Sequence, residues 1–347
     1  MLTDNRIWVV VLAGGIGSRF WPVSTLDRPK QLLPLVGDVP LIADTIDRAR
    51  ILVPDERIRI LAGKHLVESF CSNLPSFPAD SYLCEPSARG TAPALAWAAW
   101  QIAQSDPDAV MVSLHADHII RPHEAFRETV TAAVEMVLKH DLLVCIGTFP
   151  DRIEVGYGHV EPGDQLDLDG ELKAYRVRAF HEKPDKETAG RYVEDGHLWN
   201  TGIFAWKART LLEEIERHAP EIHRCIPLLE ESAEAFFSAV PTSVIDRAVV
   251  ERSERFAVLG ATFTWDDVGS WEALARLRLS DPQGNVIVGA GQTVESSDNV
   301  VFTDQGSVVL FGVQDLVVVR TADRTLVLPR ERAAELKALL EQLDSEG

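Results

Sequence analysis

The residues most able to do chemistry are glycines and cations that follow a buried strand. Three glycines within 14–17 come directly after the apolar run 7–12, and Arg19 and Lys30 lie close behind. Glycines let backbone N–H groups approach an anion without obstruction by side chains, and nearby cations neutralise its charge. The segment therefore predicts a phosphate-binding loop, and a nucleotide enzyme is the first hypothesis.

Two better-known phosphate loops do not fit this segment. A Walker loop ends in Gly-Lys-Ser/Thr, whereas Gly17 is followed by Ser18 and Arg19. The dinucleotide fingerprint has a third glycine at the place where this chain has Phe20. An ordinary glycine-rich turn is the alternative, but the prolines and the lysine that follow at this spacing favour a nucleotide site.

The composition restricts the partners of such an enzyme. A net charge of -19 argues against nucleic-acid or anionic-membrane partners, so a nucleotide must be attracted by local cations or a metal. No apolar run has the length of a membrane span, and the first residues lack the pattern of a signal peptide. The scattered Cys71, Cys84, Cys145 and Cys225 are interpreted as reduced thiols of a cytoplasmic protein.

Strands and helices alternate through the first half of the chain. Strands are predicted at 7–12, 57–62, 81–84, 109–114 and 142–147, and helices at 40–50, 92–104 and 123–140. The alternation predicts an α/β, Rossmann-like fold with a mostly parallel mixed sheet. Ligands of such sheets bind at the carboxyl ends of strands. The glycine loop, Glu85 and Asp117 all lie at such ends.

The pattern changes further along the chain. Strands are predicted at 175–182 and 256–264, helices at 186–194, 207–218, 228–238 and 331–343, and short β runs at 285–288, 299–303, 307–311, 316–320 and 325–328. We predict a catalytic domain over 1–282 and a small β-rich, β-helix-like domain with a closing helix over 283–347. The β runs share no evident sequence motif, so no repeat is predicted.

The segment AGGIGSRFWPVSTLDRPKQLLPL, residues 13–35, resembles the signature of sugar-phosphate nucleotidyltransferases, and of mannose-1-phosphate guanylyltransferases in particular. The likeness continues in order through 85–86, 90–94, 116–118, 156–158, 182–184, 199–202 and 265–271. It departs from the family at His115, where proline is usual, at His159, where an aromatic ring is common, and at Arg247, where tyrosine is more usual.

This resemblance implies transfer of a nucleotidyl group from GTP to mannose 1-phosphate, giving GDP-mannose and pyrophosphate with Mg²⁺ as cofactor. The attacking phosphate is already largely ionised near neutral pH, since its second pKa is ~6. No general base is needed, and positioning and electrostatics supply most of the catalysis. A homodimer is expected, and the absence of any histidine after His223 predicts no phosphomannose isomerase activity.

The resemblance also assigns roles to individual residues. Catalytic cations are Arg19, Lys30 and Lys183. Nucleotide-binding residues are Ala13, Gly14, Gly15, Gly17, Ser18, Arg19, Glu85, Gly90, Thr91 and Asp117. Sugar-phosphate-binding residues are Gly158, Glu182, Lys183 and Asn200, and metal ligands are Asp117 and Asp267. The roles of Asp246, Asp266, His115 and His118 stay open.

Two of these assignments have a chemical rationale that can be tested against the structure. Glu85 suits guanine, whose N1–H and N2–H₂ groups are adjacent donors that one carboxylate accepts. Glu182 and Lys183 point to opposite faces if they lie within one strand, so both serve one site only if the strand ends or kinks there. Pro184 favours such an end.

Two alternatives remain open. The first alternative to the guanylyltransferase is a nucleotidyltransferase for another hexose 1-phosphate or another nucleotide. The second is a catalytically silent nucleotide-sugar sensor. Intact Arg19, Lys30, Asp117, Lys183 and Asp267 argue against the sensor, because a sensor is free to lose its metal ligands.

Overall fold

A computed structural model describes residues 6–15, 17–168 and 171–346, with the backbone alone for 344–346. Ile16 of the predicted phosphate loop and residues 1–5 of the predicted catalytic domain lie outside the described residues. Among the described residues, no helix is both long and apolar enough to cross a membrane.

The strands are β1 Ile7–Leu12, β2 Ile58–Gly63, β3 Tyr82–Glu85, β4 Val110–His115, β5 Ile119–Arg121, β6 Leu143–Thr148, β7 Gly158–Leu166, β8 Ala174–Glu182, β9 Leu198–Lys207, β10 Phe256–Gly260, β11 Thr264–Asp266, β12 Val286–Val288, β13 Gly291–Val294, β14 Val300–Thr303, β15 Val308–Phe311, β16 Leu316–Arg320 and β17 Thr325–Pro329. The helices are α1 Leu41–Arg50, α2 Val67–Asn73, α3 Thr91–Ala103, α4 His123–His140, α5 Lys186–Glu194, α6 Ala208–His218, α7 Pro220–His223, α8 Ala233–Ala239, α9 Glu272–Leu277 and α10 Leu336–Glu346.

Nine strands form the main sheet, in the order β3-β2-β1-β4-β9-β6-β10-β8-β7. Strands β1 to β4, β6 and β10 run the same way, because their mutual pairings are parallel or pass through the antiparallel strand β9. Strand β8 is antiparallel to both β10 and β7. The predicted α/β fold with a mostly parallel mixed sheet is confirmed.

Burial explains why the central strands read as continuous apolar runs. Val10 of β1, Met111 of β4 and Cys145 of β6 are fully buried and share one hydrophobic cluster with Leu95 of α3 and Leu211 of α6. A parallel sheet covered by helices on its faces needs apolar side chains on both sides of each strand.

Strand β9 was missed from the sequence, although it lies between β4 and β6. Its sequence, LWNTGIFAWK, mixes polar and small residues with apolar ones and has no clear period. Two other predictions are wrong in detail. The predicted strand 256–264 is two strands, β10 and β11, and the predicted helix 228–238 begins only at Ala233.

The described residues divide into two compact units that differ from a simple cut along the chain. The first unit contains residues up to 14, 45–116 and 120–265, and the second contains 15–44, 117–119 and the residues from 266 onward. The second unit therefore combines most of the signature segment with the C-terminal strands. The domain boundary near 283 stays a prediction.

One hydrophobic core holds the second unit together. Phe20 and Leu33 of the signature segment are buried in the same cluster as Trp271, Phe302 of β14 and Val319 of β16. The rings of Phe20 and Trp271 meet edge to face, with centroids 4.9 Å apart. The C-terminal strands thus support the segment that carries the predicted phosphate loop.

The C-terminal strands stack as a parallel coil, which corrects the expectation of no repeat. Val286, Val300 and Val317 occupy equivalent positions in β12, β14 and β16. The side chain of Asn299 donates to Asn285 Oδ1 at 2.9 Å, and Asn299 Oδ1 accepts from Leu316 N at 3.0 Å.

The repeat is short and degenerate in sequence: GNVIV at 284–288, DNVVF at 298–302 and DLVVV at 315–319. Each copy begins at a corner with positive φ, at Gly284, Asp298 and Asp315. Glycine and aspartate are among the residues that tolerate this conformation. The spacings of 14 and 17 residues are unequal, and this inequality concealed the repeat.

Candidate active site

The glycine loop begins where β1 ends, and its shape requires glycine. Gly15 and Gly17 have φ of 95° and 72°. A Cβ on Gly17 would lie 2.3 Å from Cβ of Lys30, so no other residue fits there. Gln31 is buried and its side-chain amide donates to Gly15 O at 3.1 Å. The loop is therefore held in an open conformation, with Gly14 and Gly15 exposed.

The ammonium group of Lys30 lies between two oxygen donors of the same unit. Lys30 Nζ lies 2.8 Å from Asp117 Oδ2 and 2.6 Å from the backbone oxygen of Asp267. Only 8% of the Lys30 side chain and 24% of the Asp117 side chain are exposed. Three parts of the chain that are far apart in sequence thus meet at one cation.

The neighbouring aspartates Asp266 and Asp267 have different surroundings. Asp266 is buried, and its carboxylate accepts from Arg276 at 2.8 Å and from Val268 N at 2.8 Å. Val268 has φ of 49°, an uncommon conformation for a β-branched residue. Asp266 thus fixes the turn that presents Asp267, and strained backbone of this kind is concentrated at functional sites.

Arg19 lies in the short 3-10 helix Ser18–Phe20 that follows the loop. Its side chain is exposed, in contrast to that of Lys30. The helix is anchored by Phe20, whose amide donates to Gly17 O at 2.9 Å.

Glu85 ends strand β3 in the first unit, as predicted from the sequence. Burial raises the pKa of its carboxyl to about 7. Its charge state therefore changes near neutral pH.

Gly90 and Thr91, at the start of α3, are fixed by the segment that precedes Asp246. A Cβ on Gly90 would lie 2.3 Å from the backbone oxygen of Ser243. The Thr91 hydroxyl accepts from Ile245 N at 2.9 Å. Much of their role is therefore to join two segments of the first unit.

Glu182 and Lys183 are brought together, as the strand-end hypothesis requires. Strand β8 ends at Glu182, and Lys183 has φ of 49°. Lys183 Nζ lies 2.5 Å from Glu182 Oε1. Gly158 pairs with Glu182 across β7 and β8, and a Cβ there would lie 2.9 Å from Glu182 Oε2.

Asn200 forms a polar group with Asp246, a residue whose role the sequence left open. Asn200 Nδ2 donates to Asp246 Oδ1 at 2.9 Å, and Asn200 Oδ1 accepts from Gly202 N at 2.9 Å. Burial, and then the nearby Glu182 carboxylate, raise the pKa of Asp246, while His115 opposes the shift.

Asp246 begins a π-helical turn, Asp246–Val250, and such turns are frequent at functional sites. Sequence reasoning gave it no role because no motif marks it. The one available signal was the departure from the family at its neighbour Arg247.

An open pocket of about 470 Å³ lies along the end of β8 in the first unit. Its lining includes His181, Glu182, Tyr192 and Arg247. A polar pocket with a carboxylate and a guanidinium matches the needs of a sugar and its phosphate.

Comparisons with known proteins agree with this geometry. The model of the family described as nucleotidyl transferase matches residues 8–283, and that of the MannoseP isomerase/GMP-like beta-helix domain matches 289–343. The mannose-1-phosphate guanylyltransferase of Escherichia coli (strain K12) is 33% identical over 369 residues, covering 100% of this chain and 75% of that protein. The chain belongs to the mannose-1-phosphate guanylyltransferase family.

Two further relatives extend this result. The alginate biosynthesis protein AlgA of Pseudomonas aeruginosa is 34% identical over 357 residues, covering 97% of this chain and 72% of that protein. A solved structure from Thermus thermophilus, described as a mannose-1-phosphate geranyltransferase, matches with a TM-score of 0.89 and 34% identity over 98% of this chain and 99% of that one. Family membership confirms that the chain is a nucleotidyltransferase with a β-helix-like C-terminal domain.

The predicted site residues fall into two groups, one in each unit. The second unit holds Gly15, Gly17, Ser18, Arg19, Lys30, Asp117 and Asp267. The first unit holds Ala13, Gly14, Glu85, Gly90, Thr91, Gly158, Glu182, Lys183 and Asn200. Within these groups the structure joins Lys30 to Asp117 and Asp267, and Lys183 to Glu182.

Two histidines lie beside these groups: His115, a departure from the family, and His118, whose role the sequence left open. His115 ends β4, and a Cβ on Gly202 would lie 2.7 Å from its Nε2 atom, so the imidazole packs on a glycine. His118 is buried in the second unit, with Nε2 4.0 Å from Asp117 Oδ1. Gln31, which lies in the signature segment 13–35, is a further residue that supports the glycine loop. The sequence alone assigned it no role.

Proposed function

We propose that this chain transfers a guanylyl group from GTP to mannose 1-phosphate, giving GDP-mannose and pyrophosphate. Family membership supports the reaction class and both substrates. The observation that carries the proposal is the buried Lys30 ammonium between the Asp117 carboxylate and the Asp267 carbonyl. An enzyme that must bring two anions together needs fixed positive charge of this kind.

The reaction is a single in-line displacement. A phosphate oxygen of mannose 1-phosphate attacks the α-phosphorus of GTP, and a new P–O bond forms. The bond from the α-phosphorus to the oxygen that bridges to the β-phosphate breaks, and pyrophosphate leaves with that oxygen. The nucleophile is already an anion, so no side chain has to remove a proton.

We assign triphosphate binding to the glycine loop with Arg19 and Lys30. Gly14 and Gly15 are exposed, and a backbone N–H of this loop can donate to a phosphate oxygen. Arg19 can bind phosphate as a planar fork, whereas Lys30 supplies a fixed point charge.

We assign Mg²⁺ binding to Asp117 and Asp267. Their oxygen donors fit the preference of Mg²⁺ for one or two carboxylates completed by phosphates and water. The use of the Asp266 carboxylate by Arg276 supports the choice of Asp267. When bound, Mg²⁺ neutralises charge on the triphosphate and on the leaving pyrophosphate.

We assign sugar-phosphate binding to Gly158, Glu182, Lys183 and Asn200. Glu182 accepts hydrogen bonds from hydroxyl groups of mannose, and Lys183 meets the phosphate. We assign base recognition to Glu85, with Gly90 and Thr91 placing backbone groups beside the base or ribose. As a carboxylate, Glu85 accepts from N1–H and N2–H₂ of guanine.

The decisive experiment measures pyrophosphate release with a panel of nucleotides and hexose 1-phosphates, with Mg²⁺ and with a chelator. Fast, chelator-sensitive release only with GTP and mannose 1-phosphate is the expected result. Release with another pair would overturn the roles of Glu85 or Glu182 but keep the reaction type. A folded protein that releases no pyrophosphate with any pair would be a nucleotide-sugar sensor.

We also propose a cytoplasmic homodimer. The four cysteines are free thiols, which suits a reducing compartment. Val309, Phe311 and Val327 of the C-terminal strands are 65%, 68% and 57% exposed, an apolar surface that a second copy can cover. Sedimentation that shows a monomer at all concentrations would refute the dimer.

A further inference from the structure

Three side chains of the first unit that the family resemblance does not select form a cluster of metal-ligand atoms. Glu161, His181 and His197 each offer one such atom, and these atoms all lie within 4.8 Å of one another. Two imidazole nitrogens and one carboxylate oxygen at such distances can contact a single ion.

The register of three strands produces this cluster. Strand β7 pairs with both β8 and β9, and His159 of β7 lies opposite His181 and Trp199. Side chains alternate along a strand, so Glu161, two residues after His159, shares its face. His197, two residues before Trp199, reaches the same face from the other side. Each ligand thus comes from a different strand or its direct extension.

His197 lacks the hydrogen bonds that a buried imidazole normally makes. Only 5% of the residue is exposed, and neither Nδ1 nor Nε2 has a hydrogen-bond partner among the described residues. Leaving such a buried polar group unsatisfied lowers the stability of the fold.

The fold nevertheless fixes the His197 ring in place. Its backbone N–H donates to Tyr192 O at 2.9 Å, and the Tyr192 ring stacks on it with centroids 4.4 Å apart. Tyr192 also stacks on His181, at 4.6 Å. An unsatisfied imidazole that is held this firmly is suited to binding a ligand that the fold itself does not supply.

We propose that Glu161, His181 and His197 bind a divalent transition metal of the Zn²⁺ type. Imidazole suits Zn²⁺ and its neighbours in the series, whereas Mg²⁺ prefers oxygen donors. The site is thus chemically distinct from the Asp117 and Asp267 pair. It goes beyond the proposed nucleotidyl transfer and does not depend on it.

The surroundings of Glu161 agree with this assignment. Arg178 Nη1 lies 2.9 Å from Glu161 Oε1, but 65% of the Arg178 side chain is exposed, so this ion pair is weak. The second carboxylate oxygen of Glu161 can serve the metal.

The metal would link β7, β8 and β9 beside the proposed sugar-phosphate residues. Glu182 directly follows His181, and Gly158 directly precedes His159. Three protein ligands leave a fourth position for water. The main expected consequence is greater stability of these three strands.

The test titrates the untagged, chelator-treated full chain with Zn²⁺ or Co²⁺ in excess Mg²⁺, which occupies sites made of oxygen donors. Calorimetry should show one equivalent bound, and bound Co²⁺ should give a visible absorption band. His181→Gln and Glu161→Gln should each weaken binding by roughly 100-fold. Loss of a residue that only hydrogen-bonds to a metal ligand already lowers metal affinity by about 10- to 100-fold, and loss of a ligand itself should cost at least as much. His140→Gln, an exposed histidine on α4, is the matched control and should bind like the wild type.

A melting experiment keeps the proposal falsifiable if a variant folds poorly. Zn²⁺ should raise the melting temperature of the wild type and of His140→Gln, but not that of His181→Gln or Glu161→Gln. No saturable binding by the wild type would overturn the proposal. Equal binding by the wild type and His181→Gln would overturn it too, since the ion would then lie elsewhere.

Discussion

Lys30 and Lys183 are both predicted phosphate-binding cations, but the fold holds them differently. Lys30 is buried with 8% of its side chain exposed, and its ammonium contacts Asp117 and the Asp267 carbonyl. Lys183 has 62% of its side chain exposed and contacts Glu182, its neighbour in sequence. One charge is fixed by tertiary structure, and the other is free to rearrange when a substrate arrives.

The difference follows from how each lysine is supported. The core of the second unit, including Phe20, Trp271 and the C-terminal strands, surrounds the segment that carries Lys30. Lys183 lies just after the end of β8, in a left-handed conformation at a strand end. A fixed charge contributes to the transition state without reorganisation, whereas a mobile charge contributes mainly to substrate binding.

The largest effect is expected for a variant that tests the Asp267 carboxylate separately from Lys30. Asp267→Asn keeps the backbone oxygen that Lys30 contacts but removes one proposed Mg²⁺ ligand. Turnover should fall to background while the melting temperature stays within a few degrees of the wild type. Pyrophosphate release over a range of Mg²⁺ concentrations checks this result.

Asp266→Asn is the matched control for that variant. The Asp266 carboxylate holds Arg276 and the Val268 amide, so its loss should lower stability by about 2 kcal/mol. The protein that remains folded should keep Mg²⁺-dependent turnover, at a rate below that of the wild type, because Asp266 fixes the turn that presents Asp267. A near-normal rate for Asp267→Asn would remove Asp267 from the metal site.

The next effect tests the fixed lysine itself. Lys30→Met should lower kcat by roughly 10²–10³-fold, as removal of one preorganised electrostatic group does. It should also lower the free energy of unfolding by about 3 kcal/mol, because the largely buried Asp117 carboxylate loses its ion pair with the Lys30 ammonium. Steady-state kinetics and urea unfolding measure the two effects, and the exposed Lys139→Met should change neither.

The sequence predicted which residues belong to the Lys30 site better than it predicted how these residues contact one another. The glycines, Lys30 and the adjacent prolines form one continuous motif, so their chemistry was readable without a fold. The contact between Lys30 and Asp267 joins positions 237 residues apart, and no local pattern encodes it.

The same limit explains what the sequence missed. Asp246 and the ladder of Asn285 and Asn299 act through long-range pairing, and β9 lacks a clear period. Alternation and strand-end rules were sufficient for the α/β fold, because parallel strands buried on both faces leave a strong apolar signal.

A smaller effect is expected at the mobile lysine. Lys183→Met should raise KM for mannose 1-phosphate by roughly 10- to 100-fold, the value of one charge-assisted hydrogen bond, with a smaller change in kcat. Stability should not change, since exposed ion pairs contribute little. The exposed Lys186→Met, three residues away, is the control. A loss mainly in kcat would show that Lys183 acts as a fixed charge and would break the comparison.

The smallest effect concerns Glu85, whose pKa is raised by burial to about 7. The proposed recognition of guanine by Glu85 needs the carboxylate, so KM for GTP should fall several-fold between pH 6 and pH 8. Inosine triphosphate, which lacks the 2-amino group, should show a weaker pH dependence. In Glu85→Gln, KM for GTP should not vary with pH over this range. If the variant instead shows the same pH dependence as the wild type, Glu85 is not part of the base site.

Stability without nucleotide should change in the opposite direction. The folded-state pKa of Glu85 lies above its ordinary value of 4.5, so the protonated group contributes stability that is complete below pH 4.5. That contribution is lost as the pH rises through about 7. Urea unfolding should therefore show the wild type losing more stability between pH 5 and pH 8 than Glu85→Gln. If both lose the same amount, burial does not raise the pKa of Glu85, and recognition of the base would then not depend on pH between pH 6 and pH 8.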